Sequence, residues 1–277
     1  IDCCGEFCGK KIEWSRSKNT ENGTTTYGDT AELTEIAKAL ANGVKTGDTT
    51  VELPVLAYYS TARLWEKKKE KRESAKLDLN SRFTGYLDCL DSMNNEKLMR
   101  KWLEQMTYIE LQRGEEVPEL SAVKRAILAC FNASDNTREM GKADRCTFDV
   151  KSGEIEITYT LPNGKKEIHP LSEMSDGYRN MLSMVADIAY RMALLNPQLL
   201  DKVTEKTSGV VLIDEIDLHL HPAWQRHIVG ALKKIFPKVQ FIVSTHAPSV
   251  ISSVPQDEIV ILENHQVRKA EMPTDGK

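Results

Sequence analysis

Apolar and polar positions along the chain follow more than one period, and each period predicts an element. In "TAELTEIAKALANG" (30–43), Leu33, Ile36, Ala37 and Leu40 recur at helical spacing, with Gly43 as the expected stop. "VELPVLAYYS" (51–60) is an apolar run of strand length. Amphipathic helical patterns cover "NEKLMRKWLEQMTYIELQRG" (95–114) and "PELSAVKRAILACF" (118–131). "EIEITYT" and "KKEIHPL" flank "LPNG", which predicts a hairpin closed by a Pro-Asn-Gly turn. From about residue 172 onward helical and strand patterns alternate, the signature of a parallel sheet. The expected fold class is α/β with a mostly parallel sheet, carrying a helical insertion over 61–140.

Composition narrows the function classes. A chain of 277 residues with 40% hydrophobic residues buries one sizeable core or two modest ones. Its net charge of -4 gives no global basic signature for coating nucleic acid or anionic membrane. No apolar run approaches the roughly 18 residues that span a bilayer, and no basic segment leads into a signal core. A cytoplasmic protein without a membrane partner is expected. The six cysteines are too scattered for a disulfide framework, and Cys3, Cys4 and Cys8 lack the spacing of a zinc site, so reduced thiols are expected. The basic run at 67–76 is the local candidate for DNA or RNA; its glutamates dilute it, and a solvated helix face explains it as well.

Candidate chemistry concentrates in "GVVLIDEIDLHLHPAW" (209–224). Val210 to Ile213 form the unbroken aliphatic run of a central parallel strand, and ligands in such sheets sit at the carboxyl ends of strands, where Asp214 and Glu215 stand. In a nucleoside triphosphate site such a pair divides the work: one acid holds Mg²⁺ and the next activates the attacking water. Alone, the run also fits a plain strand end. A second buried strand, in "VQFIVSTHAPSVISSV" (239–254), delivers Ser244, Thr245 and His246 to the same sheet edge. In "LSEMSDGYRNMLSMVADIAYRMALLNP" (171–197), Tyr178, Met181, Leu182, Val185, Ile188, Ala189 and Met192 recur as a core-facing stripe. Ser175 is placed to cap that helix and Gly177 to admit another backbone, so its N-terminus is a candidate anion site. Asp217, His219 and His221 also read as a metal-ligand pattern, Asp-x-His-x-His, which leaves a metal hydrolase open.

In this order, "MSDGYRNM", "VVLIDEID" and "IVSTHAPSV" resemble the signature motif, the Walker B motif and the switch histidine of ABC-type ATPases in the SMC and OLD group. "LPVLAYYSTARLW", "FTGYLDCLD" and "IDEIDLHLHPAWQ" extend the match to the bacterial AAA-family ATPases once described as predicted virulence-associated ATP-binding proteins, which are similar to the ATPase subunits of Septu and retron antiphage systems. The resemblance implies an ABC-type P-loop NTPase fold with ATP and Mg²⁺ as cofactors. It implies that Asp214 assists Mg²⁺ binding, that Glu215 is the catalytic base and that His246 senses the γ-phosphate. It places Ser175, Asp176, Gly177, Tyr178 and Arg179 against the nucleotide of a partner subunit, and Asp217 and His219 in a D-loop that crosses to that subunit. A homodimer formed on ATP, driving a nuclease or other effector in antiphage defence, is the implied assembly. DNA maintenance and a non-hydrolysing scaffold stay open.

The chain departs from that family in more than one respect: "STARLW" (60–65), where the family's Q-loop should follow the strand, offers no glutamine. The chain also carries no G-x-x-x-x-G-K-[ST] pattern. The nearest stretch, "GEFCGKK" (5–11), reads as a tight turn into a strand, and the first residue is Ile1 rather than Met. A piece of a longer protein is expected, in which 1–60 is the remainder of an N-terminal ATPase lobe without its Walker A segment and 141–277 the C-terminal lobe. The isolated chain is then expected to be inactive.

Overall fold

The aliphatic runs at 55–59, 209–213 and 239–243 lie side by side in the computed structural model, which describes residues 2–7, 9–15, 30–61, 81–91, 96–133, 142–161, 163–264 and 266–269. The charged run at 65–76 and the polar loop at 19–29 lie outside the described residues, as does Cys8. The chain divides into two units, Ile1–Leu53 and Pro54–Lys277.

In the first unit, β1 (Asp2–Phe7) and β2 (Lys10–Ser15) pair antiparallel, with Glu6 opposite Lys11 and Phe7 opposite Lys10. "GEFCGKK" is therefore a hairpin, whose Gly9 takes the left-handed φ of +76° that its tight turn requires. A phosphate loop would join a strand to a helix, and this stretch does not. Helix α1 (Ala31–Lys45) runs past the predicted stop at Gly43; a side chain on Gly43 would meet Val51, so this glycine serves close packing rather than termination.

The second unit holds the parallel sheet. Strands β3 (Val55–Tyr59), β7 (Gly209–Ile213) and β8 (Val239–Val243) lie in the order β3-β7-β8, with Tyr59, Ile213 and Val243 in register. At Gly209 β3 and β7 leave no room for a side chain: a Cβ there would collide with the Val55 backbone. Helices α2 (Glu96–Arg113) and α3 (Pro118–Phe131) precede a three-stranded antiparallel sheet of β4 (Lys142–Asp149), β5 (Glu154–Thr160) and β6 (Lys166–Pro170). The predicted hairpin is β5–β6; β4 adds a strand that the pattern did not assign, burying Ala143, Cys146 and Phe148 on one face. Next come α4 (Asp176–Leu195), α5 (Val203–Lys206), α6 (Pro222–Gln225), α7 (Ile228–Ile235), α8 (Pro248–Ile251) and the hairpin β9 (Val260–Glu263) with β10 (Gln266–Lys269). No described helix is long and apolar enough to cross a membrane.

Helix α4 is the centre of this unit. Fifteen of its residues are buried, which is why its apolar positions exceed a single stripe. It packs on β3 and on α3, with Trp102 of α2 edge-on to Tyr190 at 5.4 Å. Inside the helix sits an ion pair that the apolar pattern concealed: Arg191 Nε donates to Asp187 Oδ2 at 2.8 Å, and both residues are buried. Tyr59 Oη donates to the same oxygen at 2.7 Å, and Arg191 Nη1 donates to the carbonyls of Gly85 and Leu87. Burial, then the Asp187 charge, raises Tyr59 well above the usual phenol range, so the donor is a phenol rather than a phenolate. The aliphatic runs predict strands buried on both faces, but among the described residues only one face is covered: on the other, Leu56, Leu212 and Ile242 are 37%, 37% and 52% exposed.

Burial also decides the thiols. It pushes Cys130 and Cys146 up to about 12, which suppresses the reactive thiolate. A thiol-disulfide reagent at pH 8 is expected to label Cys4, which is exposed, while leaving Cys130 and Cys146 untouched until the chain is unfolded. Peptide mapping of the labelled native protein checks this; rapid labelling of Cys130 would contradict the buried position.

Candidate functional site

The site begins where β7 stops. Ile213 is the last strand residue, and the chain turns through Asp214 and Glu215 instead of continuing. The Asp214 N–H donates to Tyr59 O at 2.8 Å, so β3 holds the first acid from one side. From the other side β8 ends in Ser244, whose N–H donates to Ile213 O at 3.0 Å. Ser244 Oγ donates to Asp214 Oδ1 at 2.5 Å and accepts the Glu215 N–H at 2.8 Å. Thr245 Oγ1 donates to Asp217 Oδ1 and accepts from the Ala247 N–H at 3.1 Å. The adjacent-strand placement predicted for the two runs is therefore correct, and it brings the acid pair beside the polar end of β8. His246, next along, is exposed at that edge.

The turn is unusual in its backbone. Glu215 has φ of +45° and His219 φ of +60°. A left-handed conformation is unfavourable by about 1–2 kcal/mol for a residue with a side chain and persists only where its surroundings impose it. Here the Ser244 hydroxyl, the bond from Leu218 N–H to Glu215 O and that from Leu220 N–H to Asp217 O impose it.

The N-terminus of α4 meets this turn from within the same chain. A Cβ on Gly177 would strike the His219 carbonyl, so glycine is needed for the close backbone approach foreseen from the sequence, and the approaching backbone is that of His219 and Leu220. Tyr178 stacks edge-on against Trp224 at 5.0 Å and lies 5.9 Å from Phe131. Gly177 and Tyr178 thus both have internal packing roles. Ser175 occupies the N-cap position, yet its hydroxyl makes no capping bond; this differs from expectation. Asp176 and Arg179 pair with each other one turn apart. Ser175 and Asp176 are exposed.

Asp217, His219 and His221 do not form a metal cluster. Among the described residues no three His, Cys, Asp or Glu side chains are arranged to hold a metal ion. His221 instead caps α6, its Nδ1 accepting the Ala223 N–H at 3.3 Å. Asp217 is engaged by Thr245.

The sequence delivered Ser244 and Thr245 to the right edge without giving them work. Their signal was present: two consecutive hydroxyls between an apolar run and a histidine, at the height of two acids on the neighbouring strand. The Asp187–Arg191 pair had a signal as well, opposite charges four apart within an otherwise apolar helix.

A family model described as "AAA domain, putative AbiEii toxin, Type IV TA system" matches residues 44–252. The chain is 28% identical over 268 residues to the Retron Ec83 probable ATPase of Escherichia coli, covering 79% of this chain and 49% of that protein. It is 28% identical over 296 residues to the Retron Vc95 probable ATPase of Vibrio cholerae serotype O1 biovar El Tor, covering 92% and 56%. A shorter match, 39% over 100 residues, joins it to the Septu protein PtuA of Bacillus mycoides (strain KBAB4), covering 36% of this chain and 13% of that protein. The chain thus spans about half the length of the two retron proteins.

Proposed function

The chain belongs to this AAA-domain family, and from that membership we propose that it forms part of an ATPase that binds Mg²⁺·ATP, hydrolyses it and drives an effector in antiphage defence. The observation that carries the reading is the Asp214–Glu215 pair at the carboxyl end of β7, tied to the end of β8 by Ser244. The residues present fit a magnesium nucleotide. The donors at the sheet end are oxygens, Asp214 is half-buried, and Mg²⁺ needs only one or two carboxylates beside phosphate and water. When bound, Mg²⁺·ATP supplies a γ-phosphoryl group polarised for attack by water.

The chain's own residues do the rest in this reading. Asp214 holds the metal, with its Oδ1 oriented by Ser244. Glu215 takes the proton of the attacking water at its carboxylate. His246, exposed at the end of β8, donates to the terminal phosphate. Ser175, Asp176 and Arg179 reach the nucleotide of a second copy, while Gly177 and Tyr178 shape that surface by fixing α4 against His219 and Trp224. Asp217 and His219 lie in the segment that meets the partner. The retron and Septu names of the relatives support a defence role; a nuclease or other effector, action on DNA or RNA and a cytoplasmic location are further parts of the proposal.

The test compares ATP turnover by the intact protein with and without chelator and with Glu215→Gln; turnover that is independent of both would end the reading. A second reading, a scaffold that does not hydrolyse ATP, is favoured by the missing G-x-x-x-x-G-K-[ST] pattern within residues 1–277. Backbone N–H groups and the lysine of that loop supply most of the phosphate affinity. Calorimetric titration of the 277-residue chain with Mg²⁺·ATP is therefore expected to show a Kd of about 1 mM or weaker. Micromolar binding would mean that the chain holds a phosphate site of another kind.

A further inference from the structure

Resting on the assignment of Asp214 and Glu215 above, we propose that Ser244 is the positioning residue of this site, the hydroxyl that sets both carboxylates. Ser244 bonds to four consecutive residues at the end of β7. Its N–H donates to Ile213 O and its carbonyl accepts the Ile216 N–H, each at 3.0 Å. Between those bonds, Oγ donates to Asp214 Oδ1 at 2.5 Å and accepts the Glu215 N–H at 2.8 Å.

A serine hydroxyl has a single proton and two lone pairs. The proton is committed to Asp214 Oδ1, and a lone pair takes the amide of Glu215. That amide belongs to a residue with φ of +45°, the conformation least tolerant of losing what holds it. Removing Oγ therefore loosens two things at once: the rotation of Asp214 and the backbone conformation from which the Glu215 side chain departs. Ser244 is exposed, so its loss leaves no cavity and little apolar packing is at stake. Thr245 repeats the device one residue on, engaging Asp217 and the Ala247 N–H, and so secures the far side of the turn independently. The consequence of removing the Ser244 hydroxyl is then local to the acid pair.

Three variants and two measurements test this. In the intact ATP-hydrolysing protein, Ser244→Ala is expected to lower kcat about tenfold to a hundredfold, the usual effect of removing a group that orients a metal-binding or reacting side chain. At saturating Mg²⁺, KM for ATP should stay within about twofold, because the phosphate-binding contacts are untouched. Ser244→Thr keeps the hydroxyl and restores kcat. In the chain itself, hydrogen exchange at the Glu215 amide should accelerate in Ser244→Ala but not in Ser244→Thr, while Val211 to Ile213 keep their protection. Wild-type kcat in Ser244→Ala, or unchanged exchange at Glu215, would overturn the proposal. Glu215→Gln serves as the third variant: full turnover there removes the base assignment instead, and the exchange measurement, which needs no activity, still decides whether Ser244 holds Glu215.

Discussion

Arg191→Ala is expected to destabilise the folded chain by about 3–5 kcal/mol, the range for removing one partner of a buried ion pair. Arg191 is 4% exposed and Asp187 1%, so no solvent reaches in to replace the guanidinium. The variant strands the Asp187 carboxylate, of which Oδ1 already has no hydrogen-bond partner among the described residues. It also deprives the Gly85 and Leu87 carbonyls of their donor, in the segment where Arg82 fastens the chain to the end of α4 through Leu195 O and Asn196 Oδ1. Against a total stability of about 5–15 kcal/mol, that loss brings the second unit close to unfolding at body temperature. Urea denaturation is the measurement, and a midpoint shift of about 1–2 M is expected. The double variant Asp187→Leu with Arg191→Met should recover only part of the loss, since no charge is stranded but Tyr59 Oη and the Gly85 and Leu87 carbonyls still lack their partners. A loss below about 1 kcal/mol in Arg191→Ala would show that the pair is not desolvated.

The same network carries a pH signature. Tyr59 is raised well above its ordinary 10.0, first by burial and then by Asp187. A group raised in the folded state contributes stability that is complete below its unfolded value and is lost as pH climbs toward the folded one. Stability should therefore begin to decline above about pH 9, where the thiols of unfolded Cys130 and Cys146 ionise, and more steeply above about pH 10; Tyr59→Phe should flatten the steeper part.

Glu215→Gln is expected to reduce ATP turnover in the intact protein about 10²- to 10⁴-fold, the contribution of a well-placed general base. Glutamine keeps the size of the side chain, and the backbone bond to Ser244 does not depend on the carboxylate, so the turn should survive. What is lost is a group able to accept a proton from water. Binding of Mg²⁺·ATP should be nearly unchanged because Asp214, not Glu215, is the metal holder in this reading. Asp214→Asn should show the complementary effect, a larger requirement for Mg²⁺. Single-turnover hydrolysis with titrated Mg²⁺ separates the two, and equal loss of affinity in both variants would mean that the acids share one role.

The sequence by itself determined most of the elements and put the candidate chemistry at strand ends. Unbroken aliphatic runs specify the strands of the parallel sheet, and a helix patterned for burial specifies α4, because hydrophobic periodicity is a local property read from neighbouring residues. The position of Asp214 and Glu215 at a strand end, and of Ser244 to His246 at another, followed from the same runs. Tertiary structure alone decided who meets whom. The bond from Tyr59 to Asp187 joins residues 128 positions apart, and no local pattern contains it. The ion pair inside α4 finds its remaining partners, the Gly85 and Leu87 carbonyls, 106 and 104 positions away from Arg191. Gly177 announced a close approach without saying whose backbone would come, and the answer was His219 of the same chain. Side-chain hydrogen bonds and left-handed turns depend on distances of a few ångströms between segments remote in sequence. Such distances are set only when the sheet has assembled in register and the packed helix has fixed where each strand stops.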